Sequence, residues 1–181
     1  MLRITIAPPE QWDELHNEFV YMKPQTLQLE HSLVSLSKWE SKWCKPFLSR
    51  EVKTWDETLD YIKCMTLTQN VDPIIYNYLT NANVNEINKY IDAPMTATKI
   101  PEKKNGRRGA REQVTAELIY YWMVTFNIPF ECQKWHLNRL LTLVKVCEYK
   151  NRPAKKMSGR ELASRNSALN KQRRAKLNSR G

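Results

Sequence analysis

Apolar residues recur along this chain at two spacings, and the switches between them predict its elements. Leu2, Ile4 and Ile6 alternate with Arg3 and Thr5, the period of a short half-buried strand, which Pro8-Pro9 ends. Pro9 can then open a helix through about Tyr21, because Trp12, Leu15, Phe19 and Met22 fall at helical spacing before Pro24. Leu27 and Leu29 alternate again over Gln25–Glu30, giving a strand able to pair with the first. Leu33, Leu36, Trp39 and Trp43 favour a helix as far as Lys45-Pro46. Thr54-x-x-Glu57 is a capping box for a helix with Trp55, Leu59, Ile62 and Met65 on one side. Asp72-Pro73 supplies an N-cap and an N1 proline for a short helix through Leu79, and Asn83-x-x-Glu86 starts another holding Val84, Ile87 and Ile91.

The densest apolar stretch is Gln113–Tyr149. It reads as a helix over Gln113–Phe126, a corner at Asn127-Ile128-Pro129-Phe130, and a second helix from about Glu131 to Tyr149. The run Leu118-Ile119-Tyr120-Tyr121-Trp122-Met123-Val124 is apolar or aromatic on every side, as expected of a helix surrounded by protein. The second helix carries Leu137, Leu140, Leu141 and Val144 on one face and Lys134, Asn138, Thr142, Lys145 and Tyr149 on another. This pair is expected to be the centre of the fold. The fold class that follows is mainly α: a compact helical domain with a small N-terminal β element of one or two short strands.

Charge divides the chain further. The net +10 comes from the last thirty-two residues, where Lys150–Gly181 holds eleven Lys/Arg against Glu161 alone, while residues 1–149 carry eighteen of each sign. An α-rich globular domain over 1–150 and a basic C-terminal tail over 151–181 are therefore expected. Ala93–Gly109, with Pro94, Pro101, Asn105-Gly106 and Gly109, reads as an exposed loop inside the domain. Lys103, Lys104, Arg107 and Arg108 in that loop, with Lys155, Lys156, Arg160, Arg173 and Arg174 in the tail, are the candidate electrostatic contacts. Ser158-x-x-Glu161 can cap a tail helix carrying Leu162, Leu169 and Leu177, marginal alone and formed on binding; a solubilising disordered end is the alternative. The tail has no Phe, Tyr or Trp on which to stack bases, so it promises attraction to nucleic acid without sequence readout, and equally to an acidic protein helix or a membrane surface.

Signals of chemistry are sparse. His16, His31 and His136 lie in separate elements, and the chain holds no Gly-rich phosphate loop, no G-x-S-x-G and no H-E-x-x-H. No catalytic residue, no metal ligand and no cofactor is assigned. Cys132 and His136, four apart, are half of a zinc-type pair, but two ligands do not close a site, and a buried thiol beside a hydrogen-bonded imidazole accounts for them better. Cys44, Cys64, Cys132 and Cys147 are widely spaced and no long apolar run opens the chain, so reduced thiols in a cytoplasm are expected. The longest apolar run is far short of the roughly twenty residues that span a bilayer, so no membrane partner is expected. Trp39 and Trp43, one turn apart beside Lys38, Lys42 and Lys45, read either as a partner-binding stripe or as core ringed by lysine stems.

Two segments carry a resemblance. Leu29-Glu30-His31-Ser32-Leu33-Val34-Ser35-Leu36-Ser37-Lys38-Trp39-Glu40-Ser41-Lys42-Trp43 and Asn127-Ile128-Pro129-Phe130-Glu131-Cys132-Gln133-Lys134-Trp135-His136-Leu137-Asn138-Arg139-Leu140-Leu141, together with the basic end, resemble the tail assembly chaperone family of long-tailed bacteriophages. The resemblance implies a non-enzymatic, helix-rich protein of the host bacterial cytoplasm that binds the tape measure protein, helps tail tube protein polymerise around it, self-associates and is absent from the finished particle. A chaperone for a long amphipathic helix needs an adaptable apolar surface, for which Trp39, Trp43, Trp135, Leu140 and Val144 are the candidates. A structural protein of a phage tail or connector, and a small basic nucleic-acid-binding protein, are the alternatives.

Overall fold

A computed structural model describes residues 1–9, 11–13, 18–20, 23–99, 113–151 and 158–177. It is mainly α, with an antiparallel two-stranded sheet at the N-terminus. The chain divides into two units, Met1–Tyr149 and Lys150–Gly181.

In the first unit, β1 (Leu2–Ile6) pairs antiparallel with β4 (Gln25–Leu29) in the register Leu2 to Leu29, Ile4 to Leu27 and Ile6 to Gln25. This register puts Ile4, Ile6, Leu27 and Leu29 on one buried face, as the alternation predicts. The segment between them departs from expectation. Instead of a helix, Gln11–Asp13 (β2) and Glu18–Val20 (β3) form an antiparallel ladder in which Trp12 is opposite Phe19. Trp, Phe and Val favour strands, and a hairpin leads back to a β4 antiparallel to β1 more directly than a helix does.

α1 (Leu33–Trp43) starts at a capping box in which Ser32 and Ser35 each accept from the other's backbone N–H. α2 (Trp55–Met65) starts at the expected Thr54/Glu57 box. Its buried face is Glu57, Tyr61, Ile62 and Met65; Trp55 lies outside it, exposed. Pro73–Tyr78 forms a 3-10 helix capped by Asp72. α3 (Asn81–Asp92) begins three residues earlier than Asn83 suggests, because Thr80 is its cap and Asn83 is the third residue of the box. Residues 93–99 have no helix or strand, and the remainder of the basic loop lies outside the described residues.

α4 (Ala116–Thr125) ends at Asn127, whose φ of 53° lets Ile128 N–H donate back to the Met123 carbonyl at 2.8 Å. Phe130–Lys134 is a 3-10 turn and not the start of α5, which spans Leu137–Asn151. The break falls where Trp135 and His136 leave helical geometry: His136 bridges Ser32, and Leu137 N–H donates to the His31 carbonyl at 2.7 Å. Tertiary pairing overrides the local helical pattern there.

The centre of this unit is accordingly the β4–α1 junction and not the Gln113–Tyr149 pair. Residues 28–32 bond to β1 on one side, to Met65, Leu67 and Thr68 after α2 on another, and to His136 and Leu137 before α5. α1 then packs against α2, α4 and the Phe130–Lys134 turn, with Leu33, Leu36 and Trp39 fully buried. The second unit contains α6 (Gly159–Leu177), started by the expected box: Glu161 accepts from the Ser158 N–H, and Ser158 Oγ from the Glu161 N–H. Every residue of α6 is exposed. Among the described residues no helix is long and apolar enough to cross a membrane.

Candidate partner-binding surface

Most of the residues proposed from sequence as a partner surface are interior. Trp39 is 1% exposed and donates its indole N–H to the Glu57 carbonyl at 2.8 Å. Leu140 and Val144 are buried in the same core. These three present no surface to a partner. Trp43, half-buried, stacks on Trp39 with ring centroids 6.1 Å apart and donates to Asp60 at 3.0 Å. Two of its three neighbouring lysines are engaged: Lys42 pairs with Asp60, and Lys45 with Glu57 at 2.7 Å. Trp39 is core and Trp43 its edge, as in the second of the two readings open in the sequence. Trp135 is half-buried with the Arg139 guanidinium over its ring at 4.1 Å.

The open apolar surface lies elsewhere. α4 buries only Ala116, Ile119 and Met123, one narrow stripe, against α1. Its opposite side carries Tyr121 at 62% and Val124 at 60% exposure, flanked by half-buried Leu118 and Trp122. This corrects the expectation that the helix is surrounded by protein. Beyond the corner, Phe130 is 54% exposed with its ring 6.5 Å from that of Tyr120, whose hydroxyl donates to Gln133 at 2.9 Å. An aromatic and aliphatic strip thus faces water on a helix whose other side is locked into the core. Single exposed apolar residues are ordinary; several close together on one helix make this side of α4 the candidate surface.

Two polar devices tie the elements of the scaffold, the first of them at the base of α4. Glu40, buried on α1, accepts from Phe47 N–H at 2.8 Å through Oε1 and from Ala116 N–H at 2.7 Å through Oε2. Burial pushes its carboxyl up, while the two backbone donors pull it down. Nothing in the sequence flags Glu40, since one acid in a Lys-rich helix reads as a solvated charge. The second device is a buried cluster of aromatic and imidazole rings. His31 Nδ1 is 2.5 Å from the Tyr61 hydroxyl, and its ring centroid is 5.2 Å from that of His136. His136 Nδ1 accepts from Asn138 N–H, so its Nε2–H donates to the Tyr90 carbonyl at 3.0 Å. The Asn138 amide also donates to the Ile91 and Ala93 carbonyls at 2.9 Å each, so the start of α5 caps the end of α3. Burial, aided by the neighbouring His136, lowers His31 to about 3; burial lowers His136 as well and raises Tyr61. Shut in the core, these groups act as ties between elements. Cys132 is buried and all four cysteines are free. Among the described residues no group of three His, Cys, Asp or Glu is placed to hold a metal ion.

Of the candidate electrostatic contacts, Arg160, Arg173 and Arg174 are exposed on α6. Lys103, Lys104, Arg107, Arg108, Lys155 and Lys156 lie outside the described residues. Comparison of the chain with protein-family models, with curated proteins and with solved structures returns no match.

Proposed function

We propose that this protein is a non-enzymatic assembly chaperone of a long-tailed bacteriophage. It works in the cytoplasm of the infected bacterium, holding amphipathic helical segments of the tape measure protein until tail tube subunits polymerise around them. The observation that carries this reading is the open side of α4, exposed Tyr121 and Val124 flanked by half-buried Leu118 and Trp122, with exposed Phe130 beyond the corner, on a scaffold whose core is already closed. An amphipathic helix docks through apolar side chains recurring every three or four residues, and this strip offers the complementary row. Aromatic side chains give large contact area with few rotors to freeze, so a few suffice for reversible capture. The two segments that resemble the chaperone family supply α1 and the corner between α4 and α5, the elements against which α4 is braced.

Coexpression with the tape measure protein tests this. The wild-type chain keeps that protein soluble and copurifies with it, and tail tube protein displaces it. The double variant Tyr121→Ser, Val124→Ser keeps its helical circular dichroism and loses at least about tenfold in affinity. Wild-type affinity in that variant removes α4 from the site, and no copurification by the wild-type chain at any salt removes the function.

α6 favours a second reading. Six Lys/Arg and one Glu lie on a wholly exposed helix, which suits a polyanion better than an apolar partner. Nucleic acid bound in this way is released steeply as salt rises and is not bound once residues 151–181 are removed.

A further inference from the structure

A second candidate is a cleft that no residue of α4 lines. It encloses about 340 Å³ between the 47–53 loop, α2 and α3, near the lower end of the range usual for small-ligand sites. Its floor is apolar and closed: Phe47, Tyr61, Ile62 and Ile87 are all buried. Phe47 lies face to face with Tyr61 at 3.8 Å, and its backbone N–H is fixed by Glu40, so this wall is held rigidly.

Its polar lining is Ser49, Lys53, Thr58, Asn88 and Asp92. The Lys53 ammonium lies 4.4 Å from the centre of the Phe47 ring. Among the described residues no carboxylate lies within ion-pairing distance of it. Of the two acids whose charge reaches it, Glu57 is committed to Lys45 through Oε1 and to the Thr54 N–H through Oε2. Partial burial lowers Lys53 below the ordinary lysine value, with Glu57 and Glu51 pulling the other way. A half-desolvated cation with a ring as its close partner is an incomplete arrangement, and an anion completes it. Asn88 and Asp92, one turn apart on α3, line it as well. Lys53 is the one cation among the lining residues, so an acid seated here sets its carboxylate there and its apolar body against Ile62, Ile87 and Ile91.

We infer that this cleft binds a small carboxylic acid with an apolar body, such as a medium-chain fatty acid or an aryl-alkanoic acid, with Lys53 as the carboxylate contact. Isothermal titration of the full chain with octanoate and with 3-phenylpropionate, against octanol and 3-phenylpropanol, tests it. Both acids bind and the neutral analogues bind at least about tenfold more weakly, the usual worth of a charge-assisted contact. Lys53→Met, which keeps the apolar stem and removes the charge, erases the difference between acid and alcohol without changing the melting temperature. Ile91→Phe, narrowing the cleft from α3, weakens acids and alcohols alike. Absence of acid binding in the millimolar range overturns the inference, as does an unchanged preference for acids in Lys53→Met. The preferred body, alkyl or aryl, is read from the two acids.

Discussion

The Glu40 carboxylate and the Ala116 backbone N–H meet at 2.7 Å inside the core, joining α1 to the first residue of α4 across seventy-six positions of sequence. Ala116 N–H is one of the donors that a helix cannot satisfy within itself, and a carboxylate there also opposes the positive end of the helix dipole. The other oxygen of Glu40 holds Phe47, so one side chain positions both the base of the exposed strip and a wall of the cleft.

Glu40→Ala strands both backbone donors in the core. A loss of roughly 2–5 kcal/mol in unfolding free energy is expected from denaturant titration, at about 1–3 kcal/mol for each unsatisfied buried group. Glu40→Gln keeps one acceptor but turns an amide NH₂ toward the other donor, so its loss is intermediate. A loss from Glu40→Ala below about 0.5 kcal/mol would show that water replaces the carboxylate.

Acid sensitivity follows from the buried imidazoles. His31 in the folded chain sits at about 3, below its ordinary 6.5, and His136 is also lowered. The unfolded chain therefore binds protons first as pH falls. The stability from keeping His31 neutral is complete above about pH 6.5 and declines as pH falls from 6.5 toward 3, at up to about 1.4 kcal/mol per pH unit, and His136 adds a loss of the same sign. Denaturation midpoints should be nearly level from pH 7.5 to about 6.5 and fall from there to pH 4.5, and His31→Gln should flatten that fall. An identical slope in the variant would assign the acid sensitivity to other groups.

The parts of the fold legible in the sequence are those set by neighbours in the chain. Thr54 with Glu57 and Ser158 with Glu161 form their boxes as read, and the alternation of Leu2, Ile4 and Ile6 with Leu27 and Leu29 gives a true strand pair. What could not be read is set by partners distant in sequence. Glu40 looks solvated until Ala116 and Phe47 arrive beside it, and the helix expected from Glu131 is interrupted because His136 answers Ser32. The run in α4 misleads for a related reason: periodicity reports which positions are apolar but not how many sides the rest of the chain covers. In this chain α1 covers one.

A substitution series along α4 reports that coverage directly. Met123→Ala and Ile119→Ala, both fully buried, should each cost about 2–5 kcal/mol. Tyr121→Ser and Val124→Ser, on the open side, should each stay within about 0.5 kcal/mol of wild type by urea titration. Equal losses on both sides would mean that the strip is already covered in solution, as by a second copy of the chain.

α6 has no buried residue, and the box at its start gives the helix local support. Removing both halves of the box with Ser158→Ala and Glu161→Ala should withdraw about 1 kcal/mol from helix initiation. A helix of nineteen residues rich in polar side chains is close enough to the margin for that loss to melt much of it. The expected result is a drop in far-UV ellipticity with the thermal midpoint of the first unit unchanged, and faster tryptic cleavage at Arg165, Lys171 and Arg173 than in the wild-type chain. A lowered midpoint would show instead that α6 stabilises the globular unit, and unchanged ellipticity would show that contacts other than the box maintain the helix.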